Sequence, residues 1–250
     1  MKTLEDKVAL ITGAGSGIGK STALLFAEHG AKIIVTDINE EHGTSVVKEI
    51  ESNGGEAIFI KADTSKPKDS EMTVQKSIEK FGKLDIAVNN AGIGGPAEPI
   101  GNYPIDDWDK VISINLSGVF YGMRYQLPEM EKAGKGSIIN VASILGQVGF
   151  ANSCAYVAAK HGVVGLTKNA GIEYGKTGVR VNAVGPAFIE TPLVKDSLSE
   201  EAYNSLAEMH PMGRLGRPHE VAELFLWLAS DKASFATGAY YPLDGGYLAK

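Results

Sequence analysis

The 250-residue chain has one cysteine, Cys154, so no internal disulfide can form. That predicts a reducing, cytoplasmic setting. It lacks any apolar run of the roughly 20 residues a membrane-spanning helix needs. Residues 1–6 are polar and lead straight into an apolar stretch, which predicts no signal peptide. There is no surplus of positive charge: 24 Lys and Arg face 30 Asp and Glu, for a net charge of −6. A nucleic-acid footprint, which needs a basic stripe, is therefore not expected. The five histidines (His29, His42, His161, His210 and His219) lie far apart without metal-ligand spacing, so no metal site is expected. Charged residues make up only 22 % against 44 % hydrophobic, which excludes a disordered chain.

Glycine, by contrast, is plentiful, at 30 positions. There is no collagen period, so these glycines belong to a folded chain whose backbone turns tightly or approaches something closely. Short apolar, β-branched runs at 7–12, 32–36, 56–61, 84–88, 137–141, 179–184 and 240–243 read as strands. Helical periodicity falls between them, at 18–29, 40–53, 67–81, 105–132, 155–175, 191–209 and 218–229. Alternating strands and helices, with several strands apolar throughout, predict an α/β protein. Its parallel sheet of about seven strands would be doubly wound, with helices on both faces. No linker or 20–50-residue repeat interrupts it, so residues 1–250 read as one domain.

The first strand-to-helix turn runs Thr12-Gly13-Ala14-Gly15-Ser16-Gly17-Ile18-Gly19. Glycines there let backbone N–H groups reach a pyrophosphate at the positive end of a helix. Ile18 occupies the last position of the strict dinucleotide fingerprint, so the spacing is G-x-x-x-G-x-G. Asp37 closes the second strand, eighteen positions after Gly19, about where a ribose-binding acid belongs. Its carboxylate would accept from both ribose hydroxyls and repel a 2′-phosphate, which predicts NAD(H) rather than NADP(H). The other reading of Asp37 is a cap of the next helix.

Tyr156 and Lys160 stand four apart on a predicted helix and share a face. A phenol near pKa 10 is too weak a base at neutral pH unless a cation lowers it, so the two could form an acid–base pair. Ser143 follows the fifth strand, at the carboxyl edge where doubly wound sheets bind ligands. Its hydroxyl could hold a substrate carbonyl or close a local turn.

These residues resemble the short-chain dehydrogenase/reductases, in particular carbonyl reductases and other ketoreductases. The likeness covers essentially the whole chain. It rests on the glycine turn, Asp63-Thr64, Asn89-Asn90-Ala91-Gly92, Asn115, Ser143, Tyr156-x-x-x-Lys160 and the segment from Pro186 to Thr191. The resemblance implies a Rossmann fold and hydride exchange between a nicotinamide and a ketone/secondary-alcohol pair. Tyr156 would be the general acid or base. Lys160 would lower its pKa and hold the nicotinamide ribose. Ser143 would orient the carbonyl, and Asn115 would hold a relay water. For the cofactor it implies Gly13, Ser16, Gly17, Ile18 and Gly19 at the phosphates, and Asp63 with Thr64 at the adenine. Asn89, Ala91 and Gly92 would lie along the adenosine and pyrophosphate, with Pro186, Ile189 and Thr191 at the nicotinamide. Ala187 replaces the family's usual glycine, which puts the local pocket shape in doubt.

The substrate pocket implied by the resemblance takes in Gly94, Gly95, Pro96, Ile144, Leu145, Gln147, Ala187 and Phe188. A loop at about 190–212 adds Leu193, Tyr203, Leu206 and Met209. Mostly apolar and without arginine, it favours a small, neutral, hydrophobic ketone or alcohol. Cys154 is expected as a packing residue at the pocket wall and His161 as structural. Trp108 and Trp227 are expected in the core or at subunit contacts, and the usual assembly is a homotetramer. A 3-oxoacyl-(acyl carrier protein) reductase, a sugar or polyol dehydrogenase and a non-catalytic dinucleotide sensor stand as alternatives.

Overall fold

The computed structural model describes residues 2–191, 194 and 199–249. Seven strands form one sheet: β1 (Val8–Thr12), β2 (Lys32–Asp37), β3 (Glu56–Lys61), β4 (Ile86–Asn89), β5 (Gly136–Val141), β6 (Val179–Pro186) and β7 (Tyr240–Leu243). Their order is β3-β2-β1-β4-β5-β6-β7, with every neighbouring pair parallel. The direction of winding reverses between β1 and β4, which opens the crevice where such sheets bind ligands. Fold class and strand count agree with the sequence reading.

Eight helices stand among the described residues: α1 (Gly17–Glu28), α2 (Glu40–Ser52), α3 (Pro67–Phe81), α4 (Ile105–Ile112), α5 (Gly118–Ala133), α6 (Cys154–Tyr174), α7 (Glu200–Glu208) and α8 (Pro218–Ala229). Their ends follow local chemistry. The Asn39 side chain accepts from His42 N at 3.0 Å to open α2. Pro67 starts α3. The helical region expected at 105–132 is two helices, joined by a π-helical turn at Ser113–Ser117. Of the region expected at 191–209, α7 is the helix described; Leu193 lies outside the described residues.

Side chains alternate across the sheet. Ile33, Val35 and Ile139 join Phe26 of α1 and Phe225 of α8 in one core. Ile34 and Ile138 turn the other way, onto Met123 and Leu127 of α5 and Val163 of α6. Of the two places expected for the tryptophans, the core is excluded: Trp108 and Trp227 are each 38 % exposed. Trp227 packs edge-on to Tyr241 of β7. No described helix is long and apolar enough to cross a membrane.

Candidate active site

A cavity of about 640 Å³ runs along the carboxyl edge of the sheet, across the switch point. At its centre α1 begins. Ser16 is the N-cap, yet its side chain makes no capping bond. The first N–H groups of α1 are thus left for another acceptor, and Ser16, Gly17 and Ile18 line the cavity. Gly17 holds φ +51°, and a Cβ there would come within 3.1 Å of Thr191 Cγ2 on the far wall. An uncapped helix end facing a cavity, with glycine keeping it open, fits the pyrophosphate of a dinucleotide.

Gly19 does not line the cavity. An added Cβ would stand 2.1 Å from the Gly13 carbonyl oxygen, so this glycine lets the helix pack on its own turn. The turn is also tied to the end of β4. Thr12 Oγ1 accepts from Asn90 N at 2.9 Å and Ala91 N at 3.0 Å. The Asn90 amide returns to the carbonyls of Thr12 (2.9 Å) and Gly13 (3.2 Å). Sequence reasoning gave Asn90 no role. Its position just past β4, beside the end of β1, was the available signal.

Asn89 requires correction. It is 3 % exposed and faces away from the cavity. Its amide donates to Asn140 Oδ1 (2.9 Å) and Gln126 Oε1 (3.1 Å), and Gln126 returns a bond of 2.9 Å. It is a brace between β4, β5 and α5, because alternation along β4 points it inward and its successor outward.

At one end of the cavity stands Asp37, beside Thr36, Ile38, Ala62, Asp63 and Thr64. Asp37 Oδ2 accepts from Gly15 N and Oδ1 from Asn39 N, both at 2.9 Å. Each oxygen keeps a lone pair for a hydroxyl donor. Asp63 Oδ1 accepts from the amide (3.0 Å) and hydroxyl (2.6 Å) of Ser65. Burial pushes the Asp63 carboxyl up, but the Ser65 bonds and nearby Lys66 outweigh it and hold it below the ordinary range.

At the other end, β5 delivers Ser143 and α6 delivers Tyr156 and Lys160. The Lys160 ammonium lies 5.4 Å from the centre of the Tyr156 ring and donates to the Val141 carbonyl at 2.7 Å. Burial brings it down to about 8. Burial also raises the Tyr156 phenol, with Ser143 pulling it the other way. The phenol is therefore held protonated at neutral pH.

Asn115 sits in the π-helical turn, fully buried and outside the cavity lining. Its carboxamide accepts from Ile93 N (2.8 Å) and donates to Ile93 O (2.7 Å). A Cβ on Gly92 would lie 3.0 Å from Asn115 Oδ1 and 3.8 Å from Lys160 Nζ, so both polar groups border Gly92.

Of the expected substrate wall, Gly94, Ile144, Leu145, Ala187 and Phe188 line the cavity, Pro96 and Gln147 do not, and Val194 extends it. Pro186, Ile189 and Thr191 line the same stretch, as do Gly13, Ala91 and Gly92 nearer the phosphate turn. Gly95 does not line it: at φ +79° it turns the chain towards Tyr103 and Val111. Leu206 does not line it either; its backbone carbonyl meets the His210 imidazole. Cys154 opens α6 away from the cavity wall. His161 is exposed and bonds the Val157 carbonyl one turn back, at 2.9 Å.

Residues 13–248 match a family model described as enoyl-(acyl carrier protein) reductase. A cyclohexanol dehydrogenase of Acinetobacter sp. (strain SE19) is 50 % identical over 245 residues, covering 98 % of this chain and 96 % of that one. A 3-oxoacyl-[acyl-carrier-protein] reductase of Thermotoga maritima is 44 % identical, covering 97 % and 98 %. The crystal structure of levodione reductase superposes with a TM-score of 0.95 at 39 % identity, over 98 % of this chain and 99 % of that one.

Proposed function

The chain belongs to the short-chain dehydrogenase/reductase family, and from its site we propose an NAD(H)-dependent oxidoreductase that interconverts a cyclic, apolar secondary alcohol and its ketone. The observation that carries this is the far end of the cavity. Ser143, Tyr156 and Lys160 stand together there, while Gly94, Ile144, Leu145, Ala187 and Phe188 offer no charge. Such a pocket recognises one oxygen and a hydrocarbon skeleton. The relative at 50 % identity is named for cyclohexanol, and the structural relative for levodione.

The nicotinamide supplies hydride transfer when bound; the chain supplies position and a proton. In reduction the Ser143 hydroxyl and the Tyr156 phenol both donate to the carbonyl oxygen, and Tyr156 passes its proton on as charge develops. In oxidation Tyr156 takes the alcohol proton. Lys160, cationic beside the ring, favours the phenolate form and reaches towards the nicotinamide ribose. Asn115, with a lone pair left on Oδ1 near Lys160, is the relay residue. Asp37 receives the adenosine ribose hydroxyls and disfavours a 2′-phosphate. Gly13, Ser16, Gly17 and Ile18 receive the pyrophosphate. Asp63 and Thr64 border the adenine, and Pro186, Ile189 and Thr191 border the nicotinamide. The enzyme works as a cytoplasmic homotetramer.

A second reading, reduction of 3-oxoacyl thioesters, is favoured by the Thermotoga relative. The two are separated by an NADH- and NADPH-oxidation screen over cyclohexanones, aryl ketones, keto esters, sugars and acyl thioesters. Cyclohexanones with NADH are expected to lead, with kcat/KM at least about tenfold above NADPH. Acyl thioesters with NADPH in the lead would overturn the proposal.

A further inference from the structure

We infer that His210 is a positioning residue for substrate specificity: its imidazole braces Phe188, the ring that forms the cavity's aromatic wall. The inference rests on reading that cavity as a site for cyclic ketones. Phe188 lines the cavity beside Ala187, and rings surround its other sides. His210 stands edge-on to it at 5.9 Å and 83°, Phe150 at 6.0 Å and 60°, and Tyr247 at 6.3 Å and 62°. His210 also meets Tyr247 at 5.8 Å. Edge-on rings at these separations attract, and a side chain locked by its neighbours is what gives a pocket a definite shape.

His210 is the joint of this cluster. It is 3 % exposed. Its Nδ1 lies 2.8 Å from the Leu206 carbonyl; a carbonyl only accepts, so Nδ1 carries the proton. Nε2 is buried without a partner among the described residues, so the ring is held by one hydrogen bond and by stacking. Behind it the backbone of Gly245 closes in, where an added Cβ would lie 3.6 Å from His210 Cβ. One imidazole thus joins three distant segments: the end of α7, the turn after β6 that carries Phe188, and the chain end that carries Tyr247. It sets where the wall stands without touching the cavity.

The consequence is a limit on ring bulk opposite Tyr156. Wild type should reduce cyclohexanone in preference to 4-tert-butylcyclohexanone. Phe188→Ala should shift the kcat/KM ratio about tenfold towards the bulky ketone. His210→Ala should shift it the same way, through KM more than kcat. His210→Phe, which keeps the ring contacts, should retain the wild-type ratio. A second readout needs no turnover: aromatic carbon NMR signals of Phe188, assigned by their loss in Phe188→Leu. These should move in His210→Ala and stay in His210→Phe, with thermal midpoints and NADH binding confirming folded protein. Unmoved Phe188 signals in His210→Ala, or an unchanged ratio there while Phe188→Ala changes it, would overturn the inference. If wild type reduces neither ketone, the cyclic-ketone reading fails, and the Phe188 signals alone decide whether the brace exists.

Discussion

At the residue scale, Tyr156 and Lys160 divide one proton between them. Lys160 is buried and Tyr156 half-buried, and desolvation works in opposite directions on a phenol and an ammonium: it raises Tyr156 and lowers Lys160 to about 8. Tyr156→Phe removes the proton donor and keeps the ring. Turnover should fall at least about 100-fold, with NADH affinity, followed by fluorescence titration, nearly unchanged. Full activity would remove Tyr156 from the mechanism. The pair also sets a pH dependence. Ketone reduction needs the fully protonated pair, so its kcat/KM should fall as pH rises through about 8. Alcohol oxidation needs the pair short of one proton, so it should rise over the same range. Profiles in both directions test this, and two parallel profiles would contradict it.

At the element scale, the phosphate turn and the β4–β5 pair behave differently from their motifs. Gly19 is required by packing. Gly19→Ala drives a Cβ against the Gly13 carbonyl, a clash with backbone that cannot swing away, and should cost about 2 kcal/mol of stability along with NADH affinity. Asn89→Ala strands Gln126 and Asn140 in the interior and should cost about 2–3 kcal/mol. Its NADH affinity should persist, because Asn89 lies outside the cavity. Denaturant unfolding and coenzyme titration separate the two cases. Strands and helix boundaries were legible because apolar runs and glycine stops carry them locally. The residue of the Asn89-Asn90 pair that faces the cavity was not legible. That depends on which side of β4 each side chain leaves, set by the register with β1 and β5.

At the scale of the whole molecule, large apolar side chains remain on two faces. Trp227 and Phe235 lie at and just beyond α8, and Trp108 and Phe120 on α4 and α5. Surfaces of this kind mark places where protein meets protein. A homotetramer should be found by light scattering coupled to size exclusion, at about four chain masses, and a monomer at working concentration would refute it. The substrate wall also belongs to this scale. Leu206 and Gly95 look like pocket residues in the linear chain. Yet neither lines the cavity, and Gly95 bends the backbone towards Tyr103. His210, by contrast, gave no sign of itself among scattered histidines, because its neighbours Phe150, Phe188 and Tyr247 come from segments far apart.

The sequence alone determined the doubly wound sheet, the glycine turn with Asp37, and the Ser143, Tyr156 and Lys160 set. The sheet rests on periods of two and of 3.6 that run along the chain; the glycine turn, Asp37 and the Ser143, Tyr156 and Lys160 set rest on local spacing taken together with the family resemblance. Tertiary structure alone decided the inward turn of Asn89, the two bonds of the Asn115 carboxamide to Ile93, the protonation bias of the Tyr156 and Lys160 pair, and the aromatic wall around Phe188. The physical reason is common to all four. Burial and cross-segment contact are properties of neighbours brought together by the sheet, which no window of sequence contains.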